Sequence, residues 1–373
     1  MNVIEVNNPR AARQFIDLPK KLYKDDPNWI SPLDNDVEAV FDPLRNVFFE
    51  HGVCTRWLLY DNNGQLIGRI AAFINYEKAY KHPQPTGGAG FFDCINDIKA
   101  AHLLLGTAKA WLQGHGMEAM EGPVNFGEND KFWGLLIEGF KPPSLGMNYN
   151  PPYYQHFFES YGFEKSYDQL TNFLDITVPF TERFTKIADW VMKKPGYSFR
   201  HFDKKHFVKF AEDFREIYND GWSTFDNFTP IEMGVIKESF RQMKAIMDER
   251  ILWFAYYNEE PIGFVVCLPD INQVLKHVNG KLNLWGKLKF LWYKKTMTID
   301  RLRIIILGCK KKYQNHGIES ALIRSLQLEV VPRGTVKGVE LAWVGDFNDK
   351  MLAIHAATGA KLDKVHRTYK LVF

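Results

Sequence analysis

The sequence predicts an α/β chain with mixed (α+β) sheets, laid out as two tandem copies of one domain. Three observations carry this. The chain has 373 residues, more than a single hydrophobic core usually organises, so two domains are expected. The order hairpin, strand, helix, strand, short helix ending in glycine, strand is read twice along it. Three landmarks also recur at nearly constant offset: Trp57 and Trp253 at the starts of the two hairpins, Gly68 and Gly263 within them, and Gly162 and Gly359 closing the two short helices. The offsets are 196, 195 and 197 residues, which chance spacing seldom produces three times. The expected boundary lies near Val178-Pro179, dividing the chain into domains 1–178 and 179–373.

In the first copy, apolar positions at Ala12, Phe15, Ile16 and Leu22 predict a helix over 10–24, interrupted near Pro19. Residues 26–33 read as extended. Thr55–Tyr60 and Gln65–Ile74 flank the turn at 61–64 as a hairpin. Gly87-Gly-Ala-Gly90 reads as a linker into the short run at 91–95. Asp97 caps a helix to Gly114, with Ala101, Leu104, Leu105, Ala108 and Leu112 on one face. A strand over 116–125, an aromatic helix over 153–161 stopped by Gly162, and a strand over 170–176 complete the copy.

A connecting helix over 180–195 leads into the second copy. It holds a strand at 197–202, helices at 205–220 and 231–248, and a hairpin from Ile251 to Leu268. After an insertion come a strand at 302–309, a helix at 317–329, a strand at 338–344, a helix at 349–357 and a strand at 365–372.

Hydrophobic content of 46% and charged content of 24% are those of a globular protein, and the net charge of +3 is too mild for a nucleic-acid binder. Cys54, Cys94, Cys267 and Cys309 show no metal-ligand or redox spacing and read as buried thiols in a reducing compartment. No basic leader and no run of 18 apolar residues is present, so a cytoplasmic location without a transmembrane segment is expected. The sequence leaves the oligomeric state open.

The segment from Arg301 to Leu326 carries the functional signal. A β-branched strand, a basic loop (Lys310, Lys311, Lys312) and a helix start form a junction whose unpaired N–H groups and helix dipole suit a phosphate. Gln314-x-x-Gly317-x-Glu319 resembles the Gln/Arg-x-x-Gly-x-Gly/Ala signature of the GNAT acyltransferase superfamily. Tyr161-Gly-Phe and Thr358-Gly-Ala are similar to that family's closing helix-to-strand turn. The resemblance implies two GNAT-like domains, with an acyl-CoA such as acetyl-CoA held by Leu307, Gly308, Cys309, Gln314, Asn315, His316, Gly317, Ile318, Glu319, Ser320 and Asn348. Glu319 departs from the pattern and sets a carboxylate where a diphosphate would lie, unless its side chain points away. The first copy has no such motif: its helix cap, Asp97, is acidic. At the family's tyrosine position stands Phe158, so that copy is expected not to bind coenzyme.

Acyl transfer to an amine needs a polarised carbonyl, a base for the amine and an acid for the leaving thiolate. The family pattern of Asn, Tyr seven residues on and Gly four further implies that His355 replaces the tyrosine acid, between Asn348 and Gly359. Asn348 also reads as a helix cap. Glu340 is the candidate base, with Asp346 and Asp300 as other carboxylates; all three read as solvated strand-end groups. A small-molecule or peptide amine is the expected acceptor, near the domain interface. Two other readings stay open: a tandem GNAT-like binding or scaffold protein without catalysis, and an aminoacyl or peptidyl transferase of the same fold.

The insertion at 271–296 has no counterpart in the first copy. Leu282, Leu284, Trp285, Leu288, Leu291 and Trp292 alternate there with Lys281, Lys287, Lys289, Lys294 and Lys295. A peripheral membrane helix over 281–295, a lid, and a helix packed on its own domain all have this composition.

Overall fold

The computed structural model describes residues 1–81, 83–223 and 230–373, the side chain of Gln242 excepted. In chain order the first elements are β1 (Asn2–Glu5), α1 (Pro9–Leu22), α2 (Asp34–Val40), β2 (Gly52–Tyr60), β3 (Leu66–Asn75), α3 (Tyr76–Ala79), β4 (Thr86–Cys94), α4 (Ile98–Gly114), β5 (Ala119–Gly122), β6 (Leu135–Glu138), α5 (Tyr154–Tyr161) and β7 (Glu164–Asp175). Next come α6 (Glu182–Met192), β8 (Tyr197–His201), α7 (Phe207–Gly221), α8 (Met233–Met243), β9 (Leu252–Tyr257), β10 (Glu260–Pro269), α9 (Asn272–Leu275) and α10 (Leu284–Thr296). The last are β11 (Arg301–Cys309), α11 (Ile318–Val330), β12 (Gly338–Glu340), β13 (Val344–Gly345), α12 (Asp349–Thr358) and β14 (Lys361–Val372).

The chain forms two compact units: Met1–Leu170 with Asn272–Met297 and Lys364–Phe373, and Thr171–Ile271 with Thr298–Asp363. In the first, β1 to β4 follow one another antiparallel, β4 pairs parallel with β5, and β5 pairs antiparallel with β14. Helix α4 covers this sheet through Ala101, Leu104, Leu105, Ala108 and Leu112, all fully buried. The Asp97 carboxylate caps it, accepting from Lys99 N and Ala100 N. In the second unit the order is β7-β12-β11-β10-β9-β8, with β11 and β12 parallel and the other pairs antiparallel. Its core includes Leu174, Ile304, Leu322 and Leu326 together with Phe210, Phe214, Phe254 and Phe264.

The paired landmarks have matching surroundings. A Cβ on Gly68 would lie 2.7 Å from Leu104 of α4, and one on Gly263 would lie 2.9 Å from Ile318 of α11, so each glycine lets a helix settle on a hairpin. Gly162 and Gly359 close α5 and α12 in the left-handed region, with φ of 104° and 89°.

The units divide the chain differently from the consecutive halves 1–178 and 179–373. Asp175, Leu174 and Phe173 of β7 pair with β12 in the second unit, whereas Tyr369 to Val372 of β14 pair with β5 in the first. The end of β7 thus serves the second unit and most of β14 the first, an arrangement that leaves every spacing in the repeat unaltered. The insertion falls within the first unit as well.

Two local expectations also change. Gly87–Gly90 is not a linker but part of β4; a Cβ on Gly90 would meet Val124 O at 1.9 Å, so backbone crosses there at close range. Pro19 does not interrupt α1. Its missing N–H would leave Phe15 O without a helical donor, and Arg69 Nη1 donates to that oxygen instead at 2.6 Å.

Candidate functional site

The strand β11 pairs with β12 only at Arg301↔Gly338, Leu302↔Val339 and Arg303↔Glu340, and then runs on to Cys309 beside β10 alone. A bulge at Ile305, where Val266 faces Ile306 but Cys267 faces Ile304, bends the strand just past this point. The two strands therefore part after Arg303 and Glu340. Lys310 N donates to Ile262 O of β10 at 2.9 Å. Successive strand amides point to opposite edges, so the N–H groups of Cys309 and Leu307 face the side that β12 has left. Both residues are buried, and among the described residues nothing accepts from those two groups.

The loop beyond is shaped by the left-handed residues Asn315 (φ 65°) and Gly317 (φ 80°). No side chain caps α11, and among the described residues the N–H groups of Ile318, Glu319 and Ser320 have no protein acceptor. These open donors at the positive end of a helix fit a phosphate. Asn315 and His316 are exposed; Gln314, Gly317 and Ser320 are half-buried. Gly317 is also required by packing, because a Cβ there would approach Ile187 and Val191 of α6 to 3.1 Å each.

Charge in the loop is less positive than three lysines suggest. Lys310 is buried and ion-paired with Glu216 and with Glu260 at 2.9 Å. Tyr313 Oη donates to the other oxygen of Glu260 at 3.0 Å. Only Lys311 and Lys312 extend outward. Glu319 turns inward, where its Oε1 accepts from the Cys309 thiol at 3.1 Å. Burial, and after it the Glu319 carboxylate, pushes that thiol far above its ordinary range, so Cys309 is not a thiolate nucleophile.

Asn348 caps α12, its Oδ1 accepting from Met351 N at 3.2 Å. His355, on the same helix, is only 4% exposed. Asn172 Nδ2, which can only donate, lies 3.0 Å from its Nδ1, so Nδ1 accepts and the ring proton sits on Nε2. Burial lowers its pKa from 6.5 to about 4, leaving the imidazole neutral at pH 7. Glu340 is not solvated as a strand-end carboxylate would be: it is fully buried and lies 3.6 Å from Arg303 Nε. Glu340 faces Phe173 in register, next to Leu174, and Asn172 points to the same face as Leu174. His355 and Glu340 thus approach the sheet from opposite faces.

The first unit contains the same framework, filled. Ile95 N donates to Ile67 O at 3.0 Å, as Lys310 N does to Ile262 O, so Cys94 stands where Cys309 does. Cys94 N, however, donates to Tyr154 Oη at 2.6 Å, and Val124 N donates to Ala89 O at 2.8 Å across the gap between β4 and β5. Elsewhere, an open groove of about 550 Å³ lies along β8 and β9. Arg200 there pairs with Glu259 and Lys209 with Asp213, and His206 Nδ1 lies 3.1 Å from Asp203.

Sequence reading missed Trp222, Asn172 and Arg303. The Trp222 ring lies so close to Gly308 that a Cβ there would be 2.2 Å from Cη2, and it stacks on Tyr218 and Phe264. Asn172 meets His355 from 183 residues away, and Arg303 meets Glu340 only through strand register; neither contact leaves a local signal.

No family model matches the chain. It is 30% identical over 369 residues to Protein YghO of Escherichia coli (strain K12), covering 97% of this chain and 93% of that protein. It is 30% identical over 382 residues to the Bacterial ceramide synthase of Caulobacter vibrioides (strain NA1000 / CB15N), covering 99% and 97%. Among solved structures, a tandem GNAT protein from the clavulanic acid biosynthesis pathway superposes with a TM-score of 0.57 at 14% identity, over 100% of this chain and 98% of that one. The chain has the fold of tandem GNAT proteins, and it belongs to the family of Protein YghO and the bacterial ceramide synthase.

Proposed function

We propose that the chain is an acyl-CoA-dependent N-acyltransferase whose coenzyme binds at the junction of β11 and α11, and whose acceptor is the amine of a long-chain amino alcohol. The observation that carries the reading is the contrast between copies: the N–H of Cys309 and the first turn of α11 are open, while the matching N–H of Cys94 donates to Tyr154 Oη and the first turn of α4 is capped by Asp97. The acceptor class rests on a relative named for ceramide, which is the N-acyl amide of such an amine.

The coenzyme supplies an activated thioester. The N–H groups of Ile318, Glu319 and Ser320 hold its diphosphate, with Lys311 and Lys312 adding positive charge. Leu307 N–H and Cys309 N–H hold the amide arm and polarise the acyl carbonyl. Glu340, at the parting of the strands, accepts the amine proton, and the Nε2–H of His355 holds the departing thiolate by a hydrogen bond without giving up its proton. The amine forms its amide bond as the C–S bond breaks, without a covalent enzyme intermediate.

Ser320→Asp tests the coenzyme site. An acidic residue in the first turn favours the helix, by about 0.3–1 kcal/mol, but repels a diphosphate. Wild type at a coenzyme A concentration ~100 times its Kd should gain about 2.7 kcal/mol, seen as a rise of several degrees in Tm. The variant should keep its own Tm and lose the rise; an equal rise in both, or none in wild type at millimolar coenzyme, defeats the assignment.

A second reading has its own support. Glu340 lies beside Arg303, and His355 is buried and neutral, as expected of a binding protein that has lost catalysis. Coenzyme binding without thiol release from any acyl-CoA and long-chain amine, in wild type and in Glu340→Gln alike, would favour it.

A further inference from the structure

Helix α10 lies in the first unit, and the segment just before it in the chain is tied to that unit at two points. Asn272 Nδ2 donates to Pro143 O at 2.8 Å, and Asp34 N donates to Gly280 O at 2.8 Å. Asn283 caps the helix, accepting from Gly286 N at 2.9 Å. One face is seated: Gly286 is buried, Phe290 and Tyr293 are half-buried, and the Tyr293 ring stacks on His277 with centroids 4.0 Å apart.

The opposite face is apolar and uncovered. Leu284 and Trp285 are each 73% exposed, Leu288 51%, and Leu291 and Trp292 60% each. At 100° per residue these five side chains fall within an arc of about 120°, centred opposite Gly286, Phe290 and Tyr293. Lys287 and Lys294 border that arc on one side and Lys289 on the other, and Lys295, in the last turn, lies within it. From Ile271 to Ile299 there are six lysines and no aspartate or glutamate. A monomer seldom exposes so many large apolar side chains together. A partner for this face must accept leucine and tryptophan at its centre and present negative charge around it.

We infer that α10 docks the protein onto an anionic phospholipid bilayer, lying in the plane of the interface with Leu284, Trp285, Leu288, Leu291 and Trp292 among the upper acyl chains and the lysines at the headgroups. Thirteen residues extend about 20 Å, short of the ~30 Å hydrocarbon core, so the helix lies on the membrane and does not cross it. Tryptophan suits that depth because its ring is apolar and its indole N–H reaches the wet layer. The inference stands on the helix and does not depend on the reaction proposed above.

The test is co-sedimentation of the full chain with vesicles of phosphatidylcholine alone and of phosphatidylcholine with phosphatidylglycerol. Wild type should partition onto the anionic vesicles, less so at high salt, with a blue shift in tryptophan emission. A Trp285→Ser, Leu288→Ser, Trp292→Ser variant changes exposed positions and should lose at least about tenfold in partitioning, at unchanged Tm. Lys287→Gln with Lys289→Gln and Lys294→Gln should lose the salt-sensitive part only. Wild type remaining in the supernatant with both vesicles, or the apolar triple variant sedimenting as well as wild type, overturns the inference. So does a wild-type dimer that ignores vesicles and dissociates in the triple variant, which would assign the face to a second copy of the chain. The coenzyme-induced Tm rise, read on the same samples, keeps failure here separate from failure of the coenzyme site.

Discussion

Replacing His355 with glutamine should change how the protein loses stability in acid. The imidazole is buried at 4% exposure, and its pKa falls from 6.5 to about 4 because burial disfavours the charged ring. Protonation would also set a second donor against Asn172 Nδ2 at 3.0 Å until that amide rotates. The folded-state pKa is below the unfolded one, so between these values the unfolded chain holds the proton and the native state does not. The stabilisation is therefore complete above pH 6.5 and is lost as the pH falls through that window towards 4. At ~1.4 kcal/mol per pH unit, the loss amounts to about 3 kcal/mol. Urea unfolding of wild type and His355→Gln between pH 4 and 7.5 measures it. The difference in unfolding free energy should be largest at neutral pH and shrink by about 3 kcal/mol on acidification, because carboxylates common to both proteins cancel. A difference that stays flat with pH, or grows in acid, would refute the buried neutral imidazole. The same result bears on catalysis: an activity limb near pH 6 to 7 that survives His355→Gln belongs to another group.

Gly308→Ala should destabilise by about 1–3 kcal/mol, because the new methyl would start 2.2 Å from Trp222 Cη2. In a Trp222→Ala background the same change should cost at least ~1 kcal/mol less; strictly additive unfolding energies would deny that the ring rests on the glycine. Glu319→Gln removes a carboxylate from the first turn of α11 while leaving a hydrogen-bond acceptor for Cys309. One charge ~7 Å from a phosphate costs about 2 kcal/mol at an effective dielectric near 20, and salt screening roughly halves it. Calorimetry should accordingly find coenzyme A bound about fivefold tighter, and unchanged or weaker binding would place the diphosphate elsewhere.

Local signals were legible in the sequence and long-range ones were not. Asn348 and Asp97 announce their helices because a cap is decided within three residues, and the six landmarks announce the repeat because each sits in the same local turn or hairpin. Pro19 misleads because the donor that repairs its helix, Arg69, arrives from 54 residues away. Gly87–Gly90 misleads because glycine marks both linkers and strands crossed by another backbone, and only Val124 decides between them. Lys310 reads as free positive charge until Glu216 and Glu260 are found beside it. Glu340 reads as a solvated strand end because its partner, Arg303, is known only from the register of β11 on β12. The pairing of the end of β7 with β12 and of β14 with β5 lies further out of reach, since β7 and β14 match in length and nothing local marks which sheet each joins.

The two copies also explain why an opening in one sheet is a sign of use. A buried N–H group without an acceptor costs about 1–3 kcal/mol, so a sheet that splays in the interior is under pressure to close. In the first unit it has closed: Tyr154 takes Cys94 N–H, Val124 reaches Ala89 O, and aromatic side chains from Phe92 to Phe158 pack the space around them. The second unit has the same hairpin, the same glycine and the same cysteine at the strand end, yet leaves Leu307 and Cys309 with N–H groups facing the gap. On α12 the place of Tyr154, eight residues before the closing glycine, is held by Met351, which has no hydroxyl to offer; His355 takes the place of Phe158 and is turned to Asn172. A cost that one copy has removed and the other retains is best accounted for by a molecule that occupies the second copy's gap during its working cycle, and that molecule must bring acceptors for strand amides and an anion for the first turn of α11.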